Sequence, residues 1–154
     1  MASILSEVPV EVDAATAWKA LRRVGQPHEL FAPVLTAARL DGDVRMVHFA
    51  NGLKIRERIL DVDDARRRVA YTVLDGPGME YHHASMQIVE TAPGHCLFVW
   101  ITDFTPDGIQ STLAPLIEQG SSALKNTLEA TPAPLRAGSC RPVPGTTLQG
   151  GSSR

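Results

Sequence analysis

The spacing of apolar residues turns from strand-like to helical late in this chain, and that change limits the folds open to it. From about Thr36 to Phe104 they recur at every second position, in stretches broken by turn formers. After Thr105-Pro106-Asp107-Gly108 the spacing becomes helical, with Leu113, Ile117, Gly120, Leu124 and Leu128 on one stripe. The breaks Asp41-Gly42-Asp43, Asn51-Gly52, Asp63-Asp64-Ala65, Gly76-Pro77-Gly78 and Pro93-Gly94 separate six segments, 36–40, 43–49, 53–62, 68–75, 81–90 and 95–104. Strands joined by such short connections pair with their neighbours antiparallel. A helix of about 18 residues is on the order of 27 Å long, enough to lie across the sheet.

Ahead of the sheet, residues Ile4 to Val12 alternate and predict a first strand. Asp13 supplies an N-cap carboxylate for a helix that carries Trp18, Leu21 and Val24 on one face and ends near Gly25. A second short helix is expected over His28 to Phe31, between Pro27 and Pro33. For the long helix, Ser111 or Thr112 can cap, and Pro115 is placed in the first turn. From Thr131 onward the residues are mainly Pro, Gly, Ser, Thr and Arg, which predicts one domain over 1–130 and a disordered tail over 131–154. The fold class is α+β: a curved antiparallel seven-stranded sheet wrapped around one long C-terminal helix.

Composition narrows the partners. The tail contributes Arg136, Arg141 and Arg154 and no acid, so residues 1–130 carry twelve basic against seventeen acidic side chains. An acidic domain lacks the electrostatic footprint of a nucleic-acid binder, and Arg66-Arg67-Arg68 reads as a solvated turn. No apolar run approaches the roughly 20 residues needed to cross a bilayer. The opening MASILSEVPVEV lacks a signal peptide's basic start and apolar run, so a cytoplasmic location is expected. Two cysteines make no disulfide framework; Cys96 reads as a small buried hydrophobe and Cys140 falls in the tail. No dinucleotide, Walker, C-x-x-C, H-E-x-x-H or nucleophile-elbow motif is present, and neither cofactor nor metal is expected. The oligomeric expectation is a monomer or a weak homodimer.

Register decides which side chains face the helix. A two-residue Asn51-Gly52 loop would oppose Val47 to Arg56 and Phe49 to Lys54, mixing apolar and basic residues on one face. A three-residue loop with Gly52 left-handed instead pairs Phe49 with Leu53, Val47 with Ile55 and Arg45 with Glu57. The second register segregates the faces. It puts Arg45, Val47, Phe49, Leu53, Ile55, Glu57 and Ile59 inside. On later strands Tyr71 and Val73, then His82, Ala84, Met86 and Ile88, then Phe98, Trp100, Thr102 and Phe104 are expected inside. One sheet gripping one helix leaves interior volume, and Gly120 removes a side chain where they oppose.

This order of elements resembles the START-like, helix-grip (SRPBCC) superfamily, and within it the bacterial polyketide cyclase/dehydrase branch. The likeness rests on Val8-Pro9 and Trp18, on Val44-Arg45 with Asn51-Gly52, and on Arg56-Glu57-Arg58-Ile59-Leu60. Tyr71 through Gly76-Pro77 and Trp100 with Phe104 complete it. The resemblance implies a deep cavity for apolar ligands such as polyketides, lipids or isoprenoids, in a superfamily of aromatase/cyclases, lipid carriers and receptors. Many of its members carry a Trp near His28 and an aromatic at His82, where this chain has neither.

The leading expectation is therefore binding of an apolar small molecule between sheet and helix. Arg45, Phe49, Ile55, Val73, Met86, Phe98, Trp100, Thr102, Ile117, Gly120 and Leu124 would form the ligand site. The alternative is a cyclase or dehydratase with Glu57 or His82 as base and Tyr71 or Arg45 steadying an enolate. A third is a stress or toxin–antitoxin module that works through its surface. Glu57 and His82 are separated by one strand, roughly 9–10 Å, which suits two ends of one ligand. Arg45 with Glu57 also reads as a structural ion pair, and His82 as a hydrogen-bonded core histidine. Gly76-Pro77-Gly78 reads as a turn at the cavity mouth.

Overall fold

Asp13 starts the first helix. In the computed structural model, which describes residues 1–130, its carboxylate accepts the Thr16 N–H at 3.0 Å. That cap sits between β1 (Ala2–Val10) and α1 (Ala14–Leu21). Ala14, Ala17, Trp18 and Leu21 form the buried face of α1. After α2 (Pro27–Leu30), which has proline in its first turn, come β2 (Leu35–Asp41), β3 (Val44–Phe49), β4 (Lys54–Asp63), β5 (Arg68–Val73), β6 (Tyr81–Ala92) and β7 (His95–Thr105). The expected tail, with Cys140 and its three arginines, lies outside the described residues.

The strands form one seven-stranded antiparallel sheet in the order β1-β7-β6-β5-β4-β3-β2. Consecutive hairpins are neighbours from β2 to β7, and only β1 crosses over, to pair with β7. The helix-grip α+β architecture read from the sequence is the one observed. At the β3–β4 hairpin Gly52 has φ +90°, and the Phe49 N–H donates to the Leu53 carbonyl at 2.8 Å. Val47 therefore opposes Ile55, and Arg45 opposes Glu57. Register shifts near Thr36, Leu60 and Thr91 mark bulges that bend the strands around the helix.

The long helix α3 (Gln110–Glu129) differs from expectation at its start. A 3₁₀ turn over Asp107–Ile109 runs straight into it, so Ile109 occupies the cap position and no side chain caps there. Ser111 and Thr112 are already helical, and Pro115 lies two or three positions deeper than expected, on the exposed side. Ile117, Gly120, Leu124 and Leu128 form the buried stripe, with Leu113 half-buried at its N-terminal end.

The interior divides in two. Around β1, β6 and β7, the residues Val10, Trp18, Leu21, Ile88, Cys96, Phe98, Leu124 and Leu128 pack as a solid core. Beneath β3, β4 and β5, the sheet and the N-terminal half of α3 leave a cavity.

Candidate functional site

Period-two alternation carries side chains from five strands into that cavity of about 220 Å³. From β3 and β4 come Arg45, Val47, Phe49, Ile55 and Glu57. From β5 to β7 come Tyr71, Val73, His82, Met86, Trp100 and Thr102, and from α3 come Ile117 and Gly120. Tyr71 and His82 face inward, their rings 5.6 Å apart.

Two expected members are not there. Phe98 and Leu124 are fully buried in the solid core and do not line the cavity. Phe98 lies two residues before Trp100 on β7, and Leu124 one helical turn beyond Gly120; both belong to the core cluster that includes Trp18 and Leu21 of α1. The lining adds residues that alternation alone did not identify: Phe31, Val34 and Leu35 after α2, Ile109 before α3, and Leu116 on α3. Leu116 was detectable beside the Leu113–Ile117 stripe; the others arrive from the α2–β2 connection, the start of β2 and the 3₁₀ turn, whose placement no local period encodes. Gly76, Pro77 and Met79 reach the mouth from the β5–β6 connection.

Arg45 and Glu57 form a buried ion pair, with Nε donating to Oε2 at 2.6 Å and the two residues 6% and 8% exposed. A second guanidinium nitrogen donates to the Val24 carbonyl at 3.0 Å, tying the α1–α2 connection to the sheet. The guanidinium carbon stands 5.2 Å from the Tyr71 ring centroid, a cation–π arrangement. Burial first, and then the Glu57 carboxylate, push the Tyr71 phenol well above its ordinary value, while Arg45 opposes the shift. The Trp100 indole N–H, on the Tyr71 side, also opposes it without reaching hydrogen-bond geometry. Tyr71 is thus held as a neutral hydrogen-bond donor.

His82 has a structural task as well as a wall position. The β5–β6 ladder stops at Tyr71–Ala84. Beyond it the Val73 N–H donates to His82 Nδ1 at 3.0 Å, and the Thr72 hydroxyl donates to the His82 carbonyl. Side chains thus replace the missing backbone bonds where the sheet opens over the cavity. Burial, with the charge of His83, lowers the His82 pKa to about 4 despite Asp103. With Nδ1 accepting, the neutral ring carries its proton on Nε2.

Thr102 and Trp100 also line the cavity, but the Thr102 hydroxyl and the Trp100 indole N–H are themselves buried behind its surface, without a hydrogen-bond partner among the described residues. Phe31 and Phe98 hold the Trp100 ring, with centroids at 5.8 and 6.0 Å. Among the described residues no group of three or more His, Cys, Asp or Glu side chains could hold a metal ion. Nor is any helix among them long and apolar enough to cross a membrane.

Comparison with solved structures places this geometry. A protein from Thermobifida fusca superposes with a TM-score of 0.71 at 26% identity, over 88% of this chain and 95% of its own. A START superfamily protein from Mycobacterium smegmatis gives 0.70 at 12% identity, over 82% and 97%. Truncated norcoclaurine synthase from Thalictrum flavum gives 0.66 at 19% identity, over 83% and 91%. No curated protein matches the sequence. The family described as polyketide cyclase/dehydrase and lipid transport matches residues 1–131. With the helix-grip sheet and a cavity beneath α3, that match makes this chain a member of the polyketide cyclase/dehydrase and lipid transport family.

Proposed function

We propose that this protein binds an apolar, cyclic or lipid-like small molecule between its sheet and α3. The observation carrying this reading is the cavity itself: about 220 Å³, walled mainly by aliphatic, aromatic and Met side chains, with few polar groups. A structure that only needed a core would close this volume, because unfilled space costs dispersion contacts.

The alternative of cyclase or dehydratase turnover rests on Glu57, Tyr71 and His82 sharing that cavity. Binding is the better supported of the two. General acid–base catalysis works best with groups that titrate near the working pH. Here Tyr71 is shifted well upward, His82 down to about 4, and Glu57 is engaged by Arg45 at 2.6 Å.

The test is an NMR titration with aromatic polyketides, fatty acids and isoprenoids, following ligand signals in the same tubes. Binding predicts shifts clustered at Glu57, Tyr71, His82, Trp100 and Gly120 with unchanged ligand signals. New ligand signals over time would make the protein an enzyme. Absence of shifts with every class, together with a co-purifying protein, would favour a module acting through its surface.

A further inference from the structure

The outer face of the sheet, turned away from α3 and the cavity, is of two kinds. Along β4 it carries the exposed side chains Lys54, Arg56 and Arg58, the pattern of a sheet face turned to water. Across β1, β7 and β6 the outward positions include Leu5, Leu97, Val99, Ile101 and Val89. Leu5 is 61% exposed, and Ile101 and Val89 are each 39% exposed. They adjoin one another in the strand register and so form one patch. The register also sets charge on this patch in a fixed order. One row runs Glu7, Val99, Gln87, Arg68 from β1 to β5. Beside it runs Leu5, Ile101, Ser85, Ala70, and beyond that Asp103 pairs with His83. Neither Glu7 nor Arg68 has an ion-pair partner among the described residues.

We infer that this face is the contact of a weak symmetric homodimer, in which β1, β7, β6 and β5 of two copies stack face to face. The order of the rows makes the patch complementary to itself. A two-fold axis in the contact plane, running along the strands between β6 and β7, sets β1 over the partner's β5 and β7 over the partner's β6. Glu7 then meets the partner's Arg68, twice by symmetry, and Asp103 meets the partner's His83. Between these pairs Ile101 meets the partner's Ser85, and Leu5 meets the partner's Ala70. Opposite charges thus flank apolar contacts, and no like charges are opposed in these rows. Four strands from Ser3 to Pro9 cover roughly 19 by 23 Å, on the order of 400 Å² a side. That is about half of the roughly 800 Å² per partner in a stable interface, so the dimer forms only at high protein concentration. The inference is independent of the cavity, which lies on the other side of the sheet.

Sedimentation equilibrium of the full chain, from roughly 10 μM to 1 mM, tests this. The average mass is expected to rise with concentration from 16.6 kDa towards twice that value. Glu7→Lys and Arg68→Glu should each weaken association about tenfold, because each reversal turns two attractive pairs into repulsive ones. Their combination restores opposite charges across the contact and should return the affinity close to wild type. Ile101→Lys should hold the mass at the monomer value with a urea midpoint near wild type, and Leu5→Lys supplies the comparison if that variant folds poorly. A mass that stays at the monomer value throughout would overturn the proposal and leave the patch to a different partner. A dimer indifferent to both lysine substitutions, or a charge swap that fails to restore association, would overturn it as well.

Discussion

Gly120 of α3 meets the indole of Trp100 so closely that a Cβ on the glycine would lie 2.9 Å from Cζ3 of the ring. The next nearest atom, Cη2, would be at 3.2 Å, and a Phe31 ring carbon at 3.8 Å. The helix backbone at this point rests directly on an aromatic ring that walls the cavity. The absent side chain sets how near helix and sheet approach, and so how deep the cavity is.

Gly120→Ala should therefore act on binding more than on folding. The added methyl improves helix propensity by about 1 kcal/mol, offsetting part of the contact cost. The ring, held by Phe31 and Phe98, can yield only towards the cavity. Expected outcomes are a changed Trp100 indole N–H resonance, weaker binding of an apolar probe, and a urea midpoint close to wild type. Unaltered binding would mean that the helix, not the ring, had moved.

The Arg45–Glu57 pair should show the asymmetry of buried charges. Removing one partner strands the other, so Glu57→Leu or Arg45→Met is expected to cost about 3–5 kcal/mol. The double variant should be more stable than either single one. Urea denaturation of all four proteins measures the coupling. Additive losses would show that the two side chains do not act as a pair.

His82 predicts a pH slope whose sign follows from its lowered pKa. Between about pH 6.5 and 4 the unfolded chain binds a proton at this position and the folded one does not. Stability contributed above pH 6.5 is thus lost as pH falls through that window, by roughly 3 kcal/mol at most. His82→Asn, whose side-chain carbonyl can still accept from the Val73 N–H, should flatten the dependence seen in urea midpoints measured across this range. An unchanged slope would assign the pH dependence to other groups.

Gly52, at φ +90°, should be intolerant of a side chain despite open space around it. Gly52→Ala is expected to lower stability by about 1 kcal/mol or more through backbone strain alone. A mirror-image alanine introduced by synthesis should recover it. The check is a thermal melt of the three proteins.

Much of the site was legible in the sequence because it depends on local chemistry. Asp13 caps α1 since a carboxylate there reaches the Thr16 N–H. The left-handed Gly52 sets a register in which Arg45 opposes Glu57, and strict alternation then carries Tyr71, His82, Trp100 and Thr102 to the same face. Those rules act over two to four residues and need no knowledge of distant partners.

Only the tertiary structure decided where interior becomes cavity. Phe98 and Trp100 have the same parity and similar chemistry, yet Phe98 is core because α1 packs over its end of the sheet, while Trp100 is wall. Phe31 and Ile109 reach the cavity because the α2–β2 connection and the 3₁₀ turn converge on it from positions nearly 80 residues apart. The start of α3 likewise passed to the turn before it, not to Ser111 or Thr112. Periodicity tells a side chain which face to take. Whether that face meets another element or empty space depends on long-range packing, which no local pattern contains.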